Sequence, residues 1–231
     1  MSCNVLSPGW ETDVARRFDL LVFDWDGTLM DSTAVIVASL QAACADVGLP
    51  VPPDERARHI IGLGLHDAMR HVLPGVPPSV YPLVVERYRV QFLAREESAP
   101  LFAGVEETLA ALEEAGHLLA VATGKSRRGL ERVLVRTGLK TRFHATRCGE
   151  ESASKPAPDM LNDLCAELGV ARERTLMIGD TTHDLQMARN AGVAALAAAF
   201  GAHPKAQLVA CAPLDCLDEP SALWAWLRSN A

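Results

Sequence analysis

The sequence predicts an α/β fold in which a parallel sheet carries helices on both faces and a helical region is inserted after the first strand. Three observations support this prediction. An apolar run at residues 18–23 stops abruptly at Asp24, as buried parallel strands do. From Gly104 onward, short apolar runs alternate with stretches of helical periodicity. Between these two parts, residues 33–99 show helical patterns and no convincing strand.

Length and composition are those of a globular protein. The 231 residues are 49% hydrophobic and 22% charged, and the net charge of −7 argues against a large nucleic-acid-binding surface. Residues 1–17, a loose extension, hold no continuous apolar segment, and no run of about 18 apolar residues follows. We therefore predict no signal peptide, no membrane span and a cytoplasmic location.

The cysteines do not suggest a metal site. None of the six belongs to a CxxC pair, and no Cys/His group has zinc-ligand spacing. We expect reduced, mostly buried thiols at Cys3, Cys44, Cys148, Cys165, Cys211 and Cys216.

The first predicted strand, residues 18–23, is followed by a turn at Asp26-Gly27-Thr28. The inserted region then contains three helical patterns. These patterns cover residues 35–47, 57–72 with an interruption at Gly62-Leu63-Gly64, and 81–95 after a proline-rich loop.

After residue 104, each predicted helix is closed by a glycine and followed by an apolar strand. The helices carry apolar residues at helical spacing over 105–112, 130–137, 161–168 and 185–191, with closing glycines at 116, 138, 169 and 192. The strands are predicted at 117–122, more weakly at 143–146, at 175–178, and from residue 193 onward.

Three polar residues stand at predicted strand ends. Asp24 and Thr123 follow the first two long strands, and Asp180 follows the strand at 175–178. Ligands of such sheets bind beyond the carboxyl ends of the strands. We therefore expect these three residues to converge on one crevice.

The acidic residues at these strand ends predict a magnesium site. Asp24 and Asp26 are two positions apart, and a hard divalent cation would offset their mutual repulsion. Asp180 and Asp184 add carboxylate oxygens from a second strand end. Carboxylates without a histidine or cysteine companion suit Mg²⁺ rather than zinc.

Three further residues suit a phosphate ester. Lys155 offers a compact positive charge, and Thr123 and Gly124 offer a hydroxyl and an amide for phosphate oxygens. Each feature alone has a plainer explanation, such as a surface lysine, an ordinary turn or a helix N-cap. Their order and their positions at strand ends favour one common site.

Together these segments resemble the haloacid dehalogenase-like hydrolase superfamily, most closely its branch of phosphoglycolate phosphatases and β-phosphoglucomutases. The resemblance spans roughly residues 18–203 and implies a Rossmann-like core (1–32 and 100–231) and a helical cap domain (33–99). It is most specific at Asp24-Trp25-Asp26-Gly27-Thr28-Leu29-Met30-Asp31-Ser32.

The resemblance implies catalytic roles for four residues. Asp24 matches the nucleophile that forms an aspartyl-phosphate, and Asp26 matches the general acid and base. Thr123 matches the hydroxyl that binds the transferring phosphoryl group. Lys155 matches the lysine that steadies the nucleophile and the phosphate charges.

The resemblance also implies a set of magnesium ligands. Asp180 matches a direct ligand, together with the Asp24 carboxylate and the Asp26 backbone carbonyl. Asp184 matches the supporting acid near the metal.

These residues favour one reaction within the superfamily. Dehalogenases lack an aspartate at the position of Asp26, and phosphonate-cleaving relatives use a cap lysine, whereas residues 33–99 contain no lysine. The predicted function is Mg²⁺-dependent hydrolysis of a small phosphorylated metabolite such as phosphoglycolate. A sugar-phosphate mutase, a pyrophosphatase and an inactive binding protein are the alternatives, and the apolar Gly62-Leu63-Gly64 and Gly124-Lys125 fit a mutase poorly.

The cap is expected to select the substrate. Residues 62–65 resemble the cap loop that faces the active site, and Arg58, His59 and His66 are close enough in sequence to meet an anionic substrate, although surface or packing roles are commoner for such residues. The expected partner is a small phosphorylated metabolite, without nucleic acid or membrane, bound by a monomer or homodimer.

Overall fold

The computed structural model describes residues 16–231, so Cys3 and most of the predicted N-terminal extension lie outside the described residues. Six strands form one sheet in the order β3-β2-β1-β4-β5-β6, and every neighbouring pair is parallel. The strands are β1 (Leu20–Phe23), β2 (Leu118–Thr123), β3 (Ala145–Cys148), β4 (Thr175–Gly179), β5 (Ala194–Ala198) and β6 (Cys216–Leu217).

Four helices lie between β1 and residue 94. They are α1 (Thr33–Asp46), α2 (Asp54–His59), α3 (Leu65–Val72) and α4 (Tyr81–Leu93). These helices share a buried cluster of their own, which includes Leu40, Met69 and Val84. The segments that lead from the sheet into these helices and back lie side by side. The Asp31 amide of the first segment donates to the Pro100 carbonyl of the second at 2.9 Å. The boundary of the cap at residues 33–99 stays a prediction.

The sheet is covered by helices on both faces. One face packs against α5 (Val105–Glu114), α6 (Arg127–Arg136) and α10 (Pro220–Asn230), and the other against α7 (Asp159–Leu168) and α8 (Thr182–Ala191). The short α9 (Lys205–Val209) covers the β5–β6 end. Within β1, Leu21 and Phe23 face the first layer, whereas Leu20 and Val22 face the second. The predicted α/β fold is confirmed.

Two parts of the prediction differ from the structure. The third strand begins at Ala145, two residues later than expected, and the Phe143 ring packs against Trp25 at 6.2 Å between ring centroids. The elements after β5 were not predicted. Of these, β6 has only two residues and α9 only five, whereas α10 is a full helix of 11 residues whose pattern was not assigned. In residues 16–231, no helix has both the length and the apolar character needed to cross a membrane.

Candidate active site

The candidate site lies at the carboxyl ends of β2, β1 and β4, which are neighbours in the sheet. Asp24 directly follows β1, Thr123 is the last residue of β2, and Asp180 directly follows β4. All three side chains are buried. Parallel strands end at the same edge of a sheet, so the fold itself brings these residues together, as predicted.

A buried lysine joins two of the carboxylates. The Lys155 Nζ donates to Asp24 Oδ1 at 2.7 Å and to Asp184 Oδ1 at 2.6 Å, and all three side chains are almost completely excluded from solvent. The other oxygen of Asp184 accepts from the Thr181 amide at 3.1 Å and the Thr181 hydroxyl at 2.7 Å. Asp184 therefore completes the capping box of α8 and also orients Lys155.

Asp180 is enclosed by two loops. The Thr28 hydroxyl donates to Asp180 Oδ1 at 2.9 Å, and the Ala202 amide donates to Oδ2 at 2.7 Å. A Cβ added at Gly27 or at Gly201 would lie 2.2 Å from Asp180 Oδ2, so only glycine fits at either position. The sequence prediction missed these contacts, although Thr28 stands in the most specific motif of the chain.

The charge of the cluster is unbalanced without a cation. One oxygen from each of Asp24, Asp180 and Asp184 lies within 4.8 Å of the others, and Lys155 is the one ammonium that contacts this group in the described part of the chain. Burial raises the pKa of Asp24 to about 7, against the opposing effect of Lys155. Burial, with the nearby Asp24 and Asp184, also raises the pKa of Asp180.

The carboxylates keep the buried lysine charged. Burial alone would lower the pKa of Lys155, but the carboxylates of Asp184 and Asp24 outweigh burial and raise it above its ordinary value. Lys155 therefore stays charged and neutralises only part of the acidic cluster.

The cluster fits a hard divalent cation. Its donors are carboxylate oxygens, which suit such a cation. Among the described residues, Asp24 Oδ2 is buried and has no hydrogen-bond partner. A buried, unpartnered carboxylate oxygen is costly, and a bound cation would satisfy it.

Asp26 has partners outside this cluster. Its Oδ1 accepts from the Ser32 hydroxyl at 2.6 Å and lies 3.0 Å from Lys125 Nζ. The Lys125 amide in turn donates to the Thr123 hydroxyl at 3.2 Å. Lys125 was given no role from the sequence, although its position directly after Thr123 and Gly124 was an available signal.

The loop at residues 62–64 lies against the core beside the site. A Cβ at Gly124 would lie 2.4 Å from the Leu63 carbonyl oxygen and 2.5 Å from that of Gly62. The Gly64 amide donates to the Ser154 hydroxyl at 3.0 Å. The loop that the sequence placed near the active site is therefore in direct contact with it.

Three histidines gather where the inserted helices meet the core, although their sequence spacing does not indicate this. The carbonyl oxygen of His59 accepts from Nε2 of His183 at 2.7 Å and from Nε2 of His203 at 3.2 Å. Burial, with the neighbouring His183 and His59, lowers the pKa of His203 to about 4. His59 thus contacts the core, whereas the exposed His66 lines an outer cleft and Arg58 lines neither this cleft nor the cavity beside Asp26.

Comparisons with known proteins identify relatives of this chain. The sequence model of the family described as haloacid dehalogenase-like hydrolase matches residues 21–198. The chain is 36% identical to a probable phosphatase, IndB, of Dickeya dadantii, over 86% of this chain and 89% of that protein. It is 35% identical to the N-acetylmuramic acid 6-phosphate phosphatase of Pseudomonas aeruginosa, over 82% of this chain and 85% of that protein.

Two further comparisons cover similar shares of the chain. A phosphoglycolate phosphatase of Agrobacterium fabrum is 34% identical over 79% of this chain and 81% of that protein. The crystal structure of a hydrolase from Pseudomonas syringae has the same fold, with a TM-score of 0.84 at 20% identity over 91% of this chain and 98% of that one.

These comparisons confirm the predicted enzyme class, a phosphatase, and the family resemblance. The family match covers all six of the residues Asp24, Asp26, Thr123, Lys155, Asp180 and Asp184. Chains of this family generally use a divalent metal, and the acidic cluster offers a site for one. The chain belongs to the haloacid dehalogenase-like hydrolase family.

Proposed function

We propose that this phosphatase hydrolyses a small phosphorylated metabolite in a magnesium-dependent reaction, through an aspartyl-phosphate on Asp24. One observation carries the proposal. Lys155 holds one oxygen of the Asp24 carboxylate, while the other oxygen is buried without a hydrogen-bond partner in the described residues. Lys155 thus fixes the orientation of the Asp24 carboxylate, so one of its oxygens can bind the cation while the other attacks phosphorus. The proposed catalytic core comprises residues 1–32 and 100–231, and the proposed cap residues 33–99.

In the first step, an oxygen of Asp24 forms a bond to phosphorus while the bond from phosphorus to the leaving oxygen breaks. Asp26 gives its proton to that oxygen, so the substrate departs as an alcohol. Lys155, the Thr123 hydroxyl and the Gly124 amide hold the phosphoryl oxygens during the transfer.

In the second step, Asp26 takes a proton from water, and the water oxygen attacks the phosphorus of the aspartyl-phosphate. The bond between phosphorus and Asp24 breaks, which releases phosphate and restores the Asp24 carboxylate. Lys125 Nζ, 3.0 Å from Asp26 Oδ1, and the Ser32 hydroxyl hold the Asp26 carboxyl group in position for both proton transfers.

Magnesium is the proposed cofactor. The Asp24 and Asp180 carboxylates and the Asp26 backbone carbonyl would hold the ion, and Asp184 would support the site through its contact with Lys155. When bound, Mg²⁺ neutralises negative charge on the phosphoryl group and the surrounding carboxylates.

The names of relatives suggest two substrates to examine first. One relative is named for phosphoglycolate and another for N-acetylmuramic acid 6-phosphate. Both are small anionic phosphate esters, the class that we propose for this chain. A cytoplasmic location and a monomeric or homodimeric state stay predictions of the sequence.

Phosphate release tests the proposal directly. The protein would be assayed with Mg²⁺ and with EDTA against phosphoglycolate, N-acetylmuramic acid 6-phosphate, sugar phosphates, nucleoside monophosphates and pyrophosphate. We expect Mg²⁺-dependent release with kcat/KM on the order of 10⁴ M⁻¹s⁻¹ or more for at least one ester.

Two variants control this assay. Asp24→Asn should reduce turnover to background, whereas Asp31→Asn, an exposed aspartate of the same motif, should leave it unchanged. Turnover that survives in Asp24→Asn would show that Asp24 is not the nucleophile. Absence of release from every ester would contradict the phosphatase proposal.

A further inference from the structure

A cavity of about 370 Å³ lies between the helical region at residues 33–93 and the start of α6. Its lining includes Asp26, Gly124 and Lys125, so the cavity adjoins the part of the site that holds the proposed acid and base. This volume is within the range of roughly 300–1,000 Å³ that encloses drug-sized ligands. A leaving group of two carbons, such as glycolate, would occupy only a small part of it.

One face of α4 forms part of the wall. Glu86, Arg89, Val90 and Leu93 line the cavity and follow the i, i+3, i+4, i+7 spacing of a single helical face. Val90 is 47% exposed and Leu93 is 49% exposed, so two large apolar side chains face the open cavity. Apolar side chains that are exposed inside a cleft beside an active site are the ones that a ligand covers.

The deeper walls are apolar as well, and they include Ile60, Met69 and Phe92. The charged groups around the cavity do not select one sign of charge. Lys125 is paired with Asp26, and Arg132 is paired with Glu96. The other charged lining residues are two of each sign, namely Arg89, Arg128, Glu86 and Glu150. Discrimination between substrates therefore rests on the apolar walls rather than on the charged groups.

We propose that this cavity binds the leaving group of the substrate, and that this group is a bulky alcohol with an apolar portion of several carbon atoms. The inference rests on the proposed function, since it assumes that Asp26, which lines the cavity, protonates the leaving oxygen. A phosphate ester whose leaving group has only two carbons, such as phosphoglycolate, is accordingly a poor substrate. Its leaving group is too short to contact Val90 and Leu93.

A series of straight-chain alkyl phosphates isolates this effect. The leaving alcohols of ethyl, butyl and hexyl phosphate have nearly equal acidity, so differences in kcat/KM report contacts with the cavity. Because each buried methylene group adds a constant increment of binding, kcat/KM should rise by about 10-fold or more from ethyl to hexyl phosphate.

Two variants of α4 separate the cavity wall from the rest of the helix. Val90→Asp should lower kcat/KM for hexyl phosphate by about 10-fold and leave that for ethyl phosphate within about two-fold. Leu83→Asp is the matched control, because Leu83 is 54% exposed on the same helix but does not line the cavity. Thermal unfolding of both variants checks that they are folded.

Equal kcat/KM across the series, or an equal loss for both esters in Val90→Asp, would overturn the inference. Calorimetry on Asp24→Asn measures the affinities for hexyl and ethyl phosphate separately from turnover. This comparison shows whether the cavity prefers the longer alkyl chain even if no phosphate is released. Equal affinities there would also overturn the inference. Tighter binding of hexyl phosphate without any phosphate release would support the inference and contradict the proposed hydrolysis.

Discussion

Lys155 and the carboxylates around it show at the scale of single residues how burial and charge shape the site. Three acids and one ammonium share a space from which solvent is excluded. Each member alone would be costly to bury, and the ion pairs of Lys155 with Asp24 and Asp184 offset part of that cost. The remaining negative charge is what a divalent cation would neutralise.

Replacing Lys155 tests this balance. We expect Lys155→Met to lower the free energy of unfolding by about 3–5 kcal/mol, because it leaves two buried carboxylates without their cation. Asp184→Asn in the same background should recover part of that loss without recovering activity. Urea denaturation measures both effects, with the exposed Lys140→Met as a control that should match the unmodified protein. Unchanged stability in Lys155→Met would contradict the charge balance.

The raised pKa of Asp24 predicts a dependence of stability on pH. The folded state keeps a proton on Asp24 up to about pH 7, whereas the unfolded chain releases it near the ordinary value of 3.8. The folded state then binds more protons between these values, so this group makes folding less favourable as pH rises. The effect is on the order of 1.4 kcal/mol per pH unit for one such group.

Comparison with Asp24→Asn isolates that group from the other titrating residues. In EDTA, the stability of Asp24→Asn relative to the unmodified protein should increase from about pH 4 to pH 7. Magnesium should stabilise the unmodified protein at pH 7 and have little effect at pH 4.5. A difference between the two proteins that is constant across this range would refute the prediction.

At the scale of elements, the site depends on loops that approach one another more closely than side chains allow. Gly27 and Gly201 enclose Asp180 from two loops, and Gly124 lies directly beneath the carbonyl groups of Gly62 and Leu63. The start of α8 adds a capping box that holds Asp184. Strand ends and a helix start thus position the acidic cluster. The loop at residues 62–64 contacts Gly124 beside this cluster.

A methyl group at Gly124 should displace this loop. Gly124→Ala would place Cβ 2.4 Å from the Leu63 carbonyl oxygen, so the loop must move away. We expect kcat/KM to fall by about 10- to 100-fold, as small displacements in active sites commonly cause. Gly138→Asn is the control at the other end of the neighbouring α6, because nothing lies within 4 Å of an added Cβ there and asparagine tolerates the positive φ of this position. Equal activity of the two variants would contradict the role of the loop contact.

At the scale of the whole molecule, the C-terminal helix α10 closes one face of the sheet. Leu223, Trp224 and Leu227 are buried in the same cluster as the central strands. The Trp224 indole also donates to the Ala103 carbonyl at 2.9 Å, which links α10 to the segment that enters α5. The core that carries the site therefore depends on residues far from it.

Truncating this indole should destabilise the entire core. Trp224→Ala is expected to cost about 3–5 kcal/mol in the free energy of unfolding, because it leaves a cavity and an unpaired carbonyl. Trp226→Ala, on the same helix at a partly buried position, should cost clearly less. Both are measurable by urea denaturation, and equal losses would show that α10 does not close the core in this way.

The sequence by itself determined the alternation of strands and helices and the polar residues at the strand ends. Both depend on local patterns, namely side-chain periodicity, closing glycines and an acid after an apolar run. Asp24, Asp180 and Thr123 could therefore be placed at one edge of the sheet from topology alone. The roles of the individual site residues stay proposals drawn from the family.

Only the tertiary structure decided which atoms meet. Lys155 and Asp24 are separated by 131 positions, and Thr28 and Asp180 by 152. No local pattern encodes such contacts, because they depend on how the loops after different strands approach one another. The same reason explains why the pairing of Lys125 with Asp26 and the apolar cavity beside it emerged only from the packing of the inserted helices on the core.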